Sequence, residues 1–179
     1  MINSDIAYYY SGSGVPSGSL GGAIHANEIP DSTDENSFEN MGTTEAGTAG
    51  DKYFCFYVKN EGSVEYTNVG IWISNETLST FTKIYVAAGT AGKNSVEQTV
   101  SPNTDEPAGV TWQRPLTNYQ YVVLPNLAVN DIHAIWMKRA HLDDTPGMVL
   151  DYFRLSMVGV ENTTPPTEIF SVDFSTDFQ

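Results

Sequence analysis

Few side chains in this sequence combine a type and a spacing that could do chemistry. The one cysteine, Cys55, lies inside Gly50-Asp51-Lys52-Tyr53-Phe54-Cys55-Phe56-Tyr57-Val58-Lys59-Asn60. Among aromatic neighbours a thiol behaves as a small hydrophobe, whereas a nucleophilic thiolate needs an exposed, electropositive setting. His25, His133 and His141 are widely separated and fall in no HxxxH or HExxH pattern, so a zinc or hydrolytic centre would have to be assembled wholly by the fold. Asp143 and Asp144, in His141-Leu142-Asp143-Asp144-Thr145-Pro146-Gly147, could coordinate Ca²⁺ with backbone carbonyls, although adjacent acids in a turn are more often simply solvated. There is no GxSxG, phosphate-binding glycine loop or dinucleotide fingerprint; Gly12-Ser13-Gly14 is a fragment with no helix after it. The expectation is a protein with no catalytic residue, no metal and no cofactor.

Aromatic rings offer a different chemistry. Trp72, Trp112 and Trp136, with Tyr8 to Tyr10, could stack on the apolar faces of sugars, which would make the chain a carbohydrate-binding β-sandwich module. Against that, Trp72 and Trp136 sit in stretches dense with apolar residues, where packing in a core is the simpler explanation.

The elements that must position these residues are strands. In Tyr53–Lys59, Tyr53, Cys55, Tyr57 and Lys59 share one face and Phe54, Phe56 and Val58 the other, so both faces are apolar and the segment predicts a central strand covered on both sides. Short alternating runs follow at 64–66, 68–74, 80–88, 96–100, 110–113, 119–124, 132–139 and 152–160, separated by turn formers. The pattern predicts an all-β chain with a single antiparallel β-sandwich, Ig-like or jelly-roll-like, of about eight strands.

Charge divides the 179 residues unevenly. The formal net charge is −14, yet residues 1–51 carry eight acids and no Lys or Arg, and residues 160–179 carry four acids and no base. The intervening body is close to neutral. So strong an acidic excess argues against nucleic acid as a partner, since phosphate neutralisation needs Lys and Arg. No stretch approaches the roughly 20 apolar residues that span a bilayer. Met1-Ile2-Asn3-Ser4-Asp5 has no basic n-region, so the expectation is a protein made in a cytoplasm with no membrane partner.

These patterns predict an acidic Gly/Ser-rich arm over residues 1–51, a body over 52–160 and an extended tail over 161–179. The arm carries apolar anchors at Tyr8, Tyr9, Tyr10, Leu20 and Ile24. The tail follows Pro165-Pro166 with Phe170, Val172 and Phe174 alternating against Ser171, Asp173 and Ser175. Those eight apolar residues are the candidates for contacts with neighbouring subunits. The tail strand can add to another subunit's sheet or fold back on its own.

Five stretches carry a resemblance: Tyr8–Ile24, Glu45–Asn60, Glu97-Gln98-Thr99-Val100, Pro107-Ala108-Gly109-Val110-Thr111-Trp112 and Ala134-Ile135-Trp136-Met137-Lys138-Arg139. Together the chain resembles a family of tailed-bacteriophage virion structural proteins over most of residues 6–159. The resemblance implies a non-enzymatic homo-oligomer located in the virion, with other virion proteins as partners. Capsid decoration or minor capsid protein and neck or tail component both fit. The alternative is a carbohydrate-binding module of a phage adhesin.

Overall fold

The computed structural model describes residues 5–29, 50–76, 82–141, 152–162, 169–173 and 176–177. Among them, the strands are β1 (Ile6–Ser11), β2 (Gly21–Gly22), β3 (Ile24–Glu28), β4 (Gly50–Asn60), β5 (Tyr66–Glu76), β6 (Thr82–Ala88), β7 (Glu97–Thr99), β8 (Val122–Val123), β9 (Ile132–His141), β10 (Tyr152–Glu161), β11 (Ile169–Asp173) and β12 (Thr176–Asp177). Sheet I has the order β3-β1-β4-β9-β6. Sheet II has the order β11-β10-β5-β8, with β12 also paired to β10, and β2 and β7 form a separate two-stranded ribbon. The pairings are antiparallel, and the chain is an all-β sandwich.

The alternation in β4 dictates how the layers stack. Phe54, Phe56 and Val58 face sheet II and join Tyr8 and Tyr10 of β1, Val86 of β6, Ile135 and Met137 of β9, Ile71 and Ile73 of β5, and Leu155 and Met157 of β10 in the main core. Its opposite face carries Tyr53, Cys55 and Tyr57, which pack with Ala87, Ala134, Trp136 and Val100, and with the flanking Leu20, Ile24, Val110 and Trp112. Sheet I is therefore covered twice, once by sheet II and once by a layer of turns that includes the β2–β7 ribbon. Burying side chains of this size contributes about 1.5–3 kcal/mol each, so both faces matter to stability.

The boundary expected at residues 51 and 52 is corrected for residues 6–28. β1 is an interior strand, paired to β4 from Ile6↔Asn60 to Tyr10↔Phe56 and to β3 on its other side. Ile6, Tyr8 and Tyr10 are each no more than 5% exposed. Composition misled here. The glycines after Ser11 do not make a spacer; they let the chain turn back across the outer face of sheet I. Past Tyr10, the edge of β4 is completed by other segments: the Cys55 N–H donates to the Ser19 carbonyl at 2.7 Å and the Tyr53 N–H to the Asn103 carbonyl at 2.8 Å. Residues 30–49 lie outside the described residues.

The two large sheets hold ten strands between them, against about eight expected. The additional ones come from the expected arm and tail: β1 and β3 in the first, β11 and β12 in the second. The tail strand β11 pairs with β10 of its own chain, from Ser156↔Asp173 to Val160↔Ile169. Conversely, Val110–Gln113 forms no strand; its backbone pairs with sheet I through one bridge, Val86↔Gln113, while Val110 and Trp112 pack on the outer face of that sheet.

One side of the sandwich is closed by the connection from Gln113 to Leu124. Gln113 exchanges two backbone hydrogen bonds with Val86 of sheet I, while the Ile73 N–H of sheet II donates to the Pro115 carbonyl at 2.8 Å. Between them Arg114 forms an ion pair with Glu76, whose second carboxylate oxygen accepts from the Ile84 N–H at 3.0 Å. The segment thus bridges β5 and β6 at their open edges.

Candidate functional site

The outer face of sheet I and the layer over it bring together residues of all five stretches that carry the resemblance, and the layer is held by side chains with specific tasks. The Tyr57 hydroxyl donates to the Gly22 carbonyl at 2.6 Å and accepts from the Glu97 N–H at 2.9 Å, tying both strands of the ribbon to β4. Burial pushes its pKa up to about 12. The Glu97 carboxylate is 2% exposed and accepts from the Thr90 hydroxyl and the Ala91 N–H, both at 2.9 Å. Burial alone would push this carboxyl up; the bonds from Ala91 and Thr90 and the nearby Trp136 indole outweigh it and hold it below its ordinary value. The indole lies near this carboxylate without closing a hydrogen bond of ordinary geometry. Gln98 clamps the loop that follows, its amide N donating to the Ala108 carbonyl at 2.7 Å and its amide O accepting from the Ala108 N–H at 2.8 Å. Gly21 has φ +89°, and a Cβ there would come within 1.8 Å of the Gln98 carbonyl oxygen.

Within this layer the candidate nucleophile is inert. Cys55 is fully buried, and burial, reinforced by the Glu97 charge, pushes its thiol well above its ordinary value. His133, 5% exposed, has an Nδ1 with no hydrogen-bond partner, and burial lowers its pKa. The His25 Nδ1 accepts from the Asn27 N–H at 3.0 Å, a local turn bond. Among the described residues no group of three or more His, Cys, Asp or Glu could hold a metal ion; Asp143 and Asp144 lie outside the described residues.

The subunit-contact candidates are scattered. Tyr8 and Tyr10 are core residues, their rings 6.2 Å from Phe56 and 6.4 Å from Phe54, so neither can reach a neighbouring subunit. Tyr9 is half-buried on the outer face: Lys59 lies over its ring at 5.5 Å and its hydroxyl donates to Glu61 at 2.6 Å. That hydrogen bond, with burial, pushes its pKa up to about 12. Leu20 and Ile24 pack on the outer layer of their own chain. Phe170 and Val172 lie on β11, in register with Gly159 and Met157, and Phe174 lies outside the described residues.

The tryptophans do not form a sugar-stacking face. Trp136 is completely buried. Trp112 is half-buried, its Nε1 donating to Glu106 at 2.7 Å, with the Tyr53 ring centred 5.7 Å away and the Lys138 ammonium 5.4 Å from its own centre. Trp72 is on β5 opposite Ser156 of β10, in the other sheet.

Sequence reasoning missed two adjoining clefts beside the Gln113–Leu124 connection. One, of about 470 Å³, is lined by Ala88, Gly89, Thr90, Gly109, Thr111, Gln113 and Tyr121 to Val123. The second, of about 490 Å³, shares Gln113 and Tyr121 and adds Arg114, Pro115 and Gln120. No spacing signal could have found them. Their walls come from segments far apart in the chain, and glutamine and threonine in a loop announce nothing.

No protein-family model matches the chain, and no curated protein matches it. Among solved structures, AvmM, which catalyses macrocyclization in alchivemycin A biosynthesis, aligns at 12% identity over 98% of this chain and 90% of its own, with a TM-score of 0.38. A family 123 glycoside hydrolase from Clostridium perfringens aligns at 12% identity over 74% of this chain and 21% of its own, with a TM-score of 0.31. At such scores neither alignment transfers an activity.

Proposed function

We propose that the chain is a non-enzymatic structural protein of a tailed-phage virion, present in multiple copies as capsid decoration or minor capsid protein, or as a neck or tail component. The observation that supports this reading is the convergence of the stretches carrying the sequence resemblance. β1 and the turns after it, β4, the Glu97–Val100 segment, the 107–112 loop and β9 are sequentially remote, yet they build one unit: sheet I and its outer layer. Several residues of those stretches act as struts. Glu97 and Gln98 spend their side chains on backbone groups of their own chain, Tyr57 spans the ribbon, and Cys55 fills space.

Assembly through the N-terminal aromatic residues is not part of this reading, because Tyr8 and Tyr10 are used within the chain. Contacts with other virion proteins fall instead to exposed groups of the sandwich, and many copies give strength through multivalency. Antibodies raised against the folded chain should label purified particles at repeated positions in immunoelectron microscopy. Particles left unlabelled in a lysate that contains the chain would overturn the reading.

A further inference from the structure

The two clefts at the Gln113–Leu124 connection leave most of the polar side chains in their lining uncommitted. Other amides and hydroxyls are spent on the fold: Gln98 clamps Ala108, Asn60 donates to the Val64 and Leu127 carbonyls, Asn94 donates to Asp131, and the Thr90 hydroxyl, at the cleft wall itself, donates to Glu97. Thr111, Gln113, Gln120 and Tyr121 line the clefts, and their side-chain polar atoms make no hydrogen bond within the described residues.

Yet the backbone that carries them is fixed. Gln113 is bonded in both directions to Val86, Pro115 accepts from Ile73, and the Gln120 N–H donates to the Thr117 carbonyl at 3.0 Å. The Tyr121 ring lies on Gly70, where a Cβ would come within 2.1 Å of its Cδ2, so glycine is what allows the ring to lie against β5. A rigid frame presenting uncommitted donors and acceptors beside an aromatic ring is the arrangement of a preorganised small-ligand site. The volumes, about 470 and 490 Å³, fall in the range of about 300–1,000 Å³ found for such sites.

The lining also states the ligand's chemistry. It contains no Asp, Glu or Lys, and its one charged residue, Arg114, is neutralised by Glu76. What remains is two amides, a threonine hydroxyl, a phenol and the Tyr121 ring, which suit a neutral, hydroxyl-rich ligand with a flat C–H face. We propose that these adjoining clefts bind a neutral saccharide, with Gln113, Gln120 and Thr111 hydrogen-bonding its hydroxyls and Tyr121 packing against a ring face. The site is distinct from the tryptophans and does not depend on the virion reading.

The test is a titration of the folded chain, followed by amide chemical shifts, with neutral glucan, galactan, mannan and N-acetylhexosamine oligosaccharides and with sialylated oligosaccharides as the charged comparison. At least one neutral probe should shift the amides of Thr111, Gln113, Gln120 and Tyr121 at millimolar sugar, and the sialylated probes should shift them less. Gln113→Ala and Gln120→Ala, both on an exposed loop, should each weaken binding about two- to tenfold. Tyr121→Ala should weaken it about tenfold, with thermal unfolding used to verify that the variant is folded. The proposal is overturned if no neutral probe shifts these amides, if shifts centre on Trp72 or Trp112, or if the two glutamine variants bind like the parent. It is overturned equally if these amides move with protein concentration alone, which would make the surface a contact between copies.

Discussion

The hydroxyl of Tyr57 lies 2.6 Å from the carbonyl of Gly22, a contact between the middle of a buried strand and a turn that composition would assign to a flexible arm. Because the same oxygen accepts from the Glu97 N–H, one phenol satisfies both strands of the ribbon. Tyr57→Phe should leave the sandwich folded but orphan two backbone groups, at a cost of about 1–3 kcal/mol. Chemical denaturation should show a lower midpoint with an unchanged slope, and amide exchange should rise first at residues 21–22 and 97–99. A midpoint equal to the parent's would mean the bond is incidental.

Gly21→Ala should be more damaging. Its backbone is in the left-handed region, which costs a side chain about 1–3 kcal/mol, and the added methyl would collide with a backbone carbonyl that cannot rotate away. Scaled to a chain of this length, each kcal/mol lowers Tm by about 2–4 °C, so a loss of at least several degrees is expected in calorimetry. Gly50→Ala, where a Cβ would meet nothing within 4 Å, serves as the comparison and should change little.

Acid should destabilise the fold in two windows. His133 has its folded pKa lowered below the ordinary 6.5 by burial, so the unfolded chain binds its proton first. Its contribution is complete above pH 6.5 and is lost as pH falls below that value. Glu97 and Asp131 are lowered against desolvation by their hydrogen bonds, and for Asp131 by Lys93 as well. Their contribution is present above their ordinary values of 4.5 and 3.8 and is lost as pH falls through the folded values. In His133→Leu the decline of Tm just below pH 6.5 should shrink while the lower window persists; an unchanged profile would remove His133 from the account.

Removing residues 161–179 takes away β11 and β12 and leaves the far edge of β10 without partners. The remaining chain should keep the near-ultraviolet signature of its packed aromatic rings, unfold at lower temperature and associate through the exposed edge. Identical Tm values for the full and shortened chains would show that the strand adds nothing to its own sandwich.

Much of the fold was legible in the sequence where a strand is apolar on a definite face. β4 reads as central because Phe54, Phe56 and Val58 oppose Tyr53, Cys55 and Tyr57, and it is central; β5, β9 and β10 read equally well from Ile71 and Ile73, from Ile135 and Met137, and from Leu155 and Met157. β1 was hidden by its surroundings: six residues beside a glycine-rich turn carry too little periodic signal, and pairing with β4 some fifty residues later is a tertiary event. The outer layer was illegible for a related reason. Leu20, Val100 and Trp112 are isolated apolar residues in turns and Ile24 opens the short strand β3, and only the fold reveals that they meet over Trp136 and Cys55. The clefts carry the weakest trace of all, since Thr111, Gln113, Gln120 and Tyr121 gain meaning only from the pinned backbone that presents them.

The measurement that bears most directly on the central proposal is quantitative mass spectrometry of gradient-purified tailed-phage particles grown from a genome that encodes this chain. The account predicts its peptides in the particle fraction at a fixed stoichiometry of several copies per particle, unchanged by further purification. Peptides found only in the unassembled lysate, or falling away with each gradient, would contradict it.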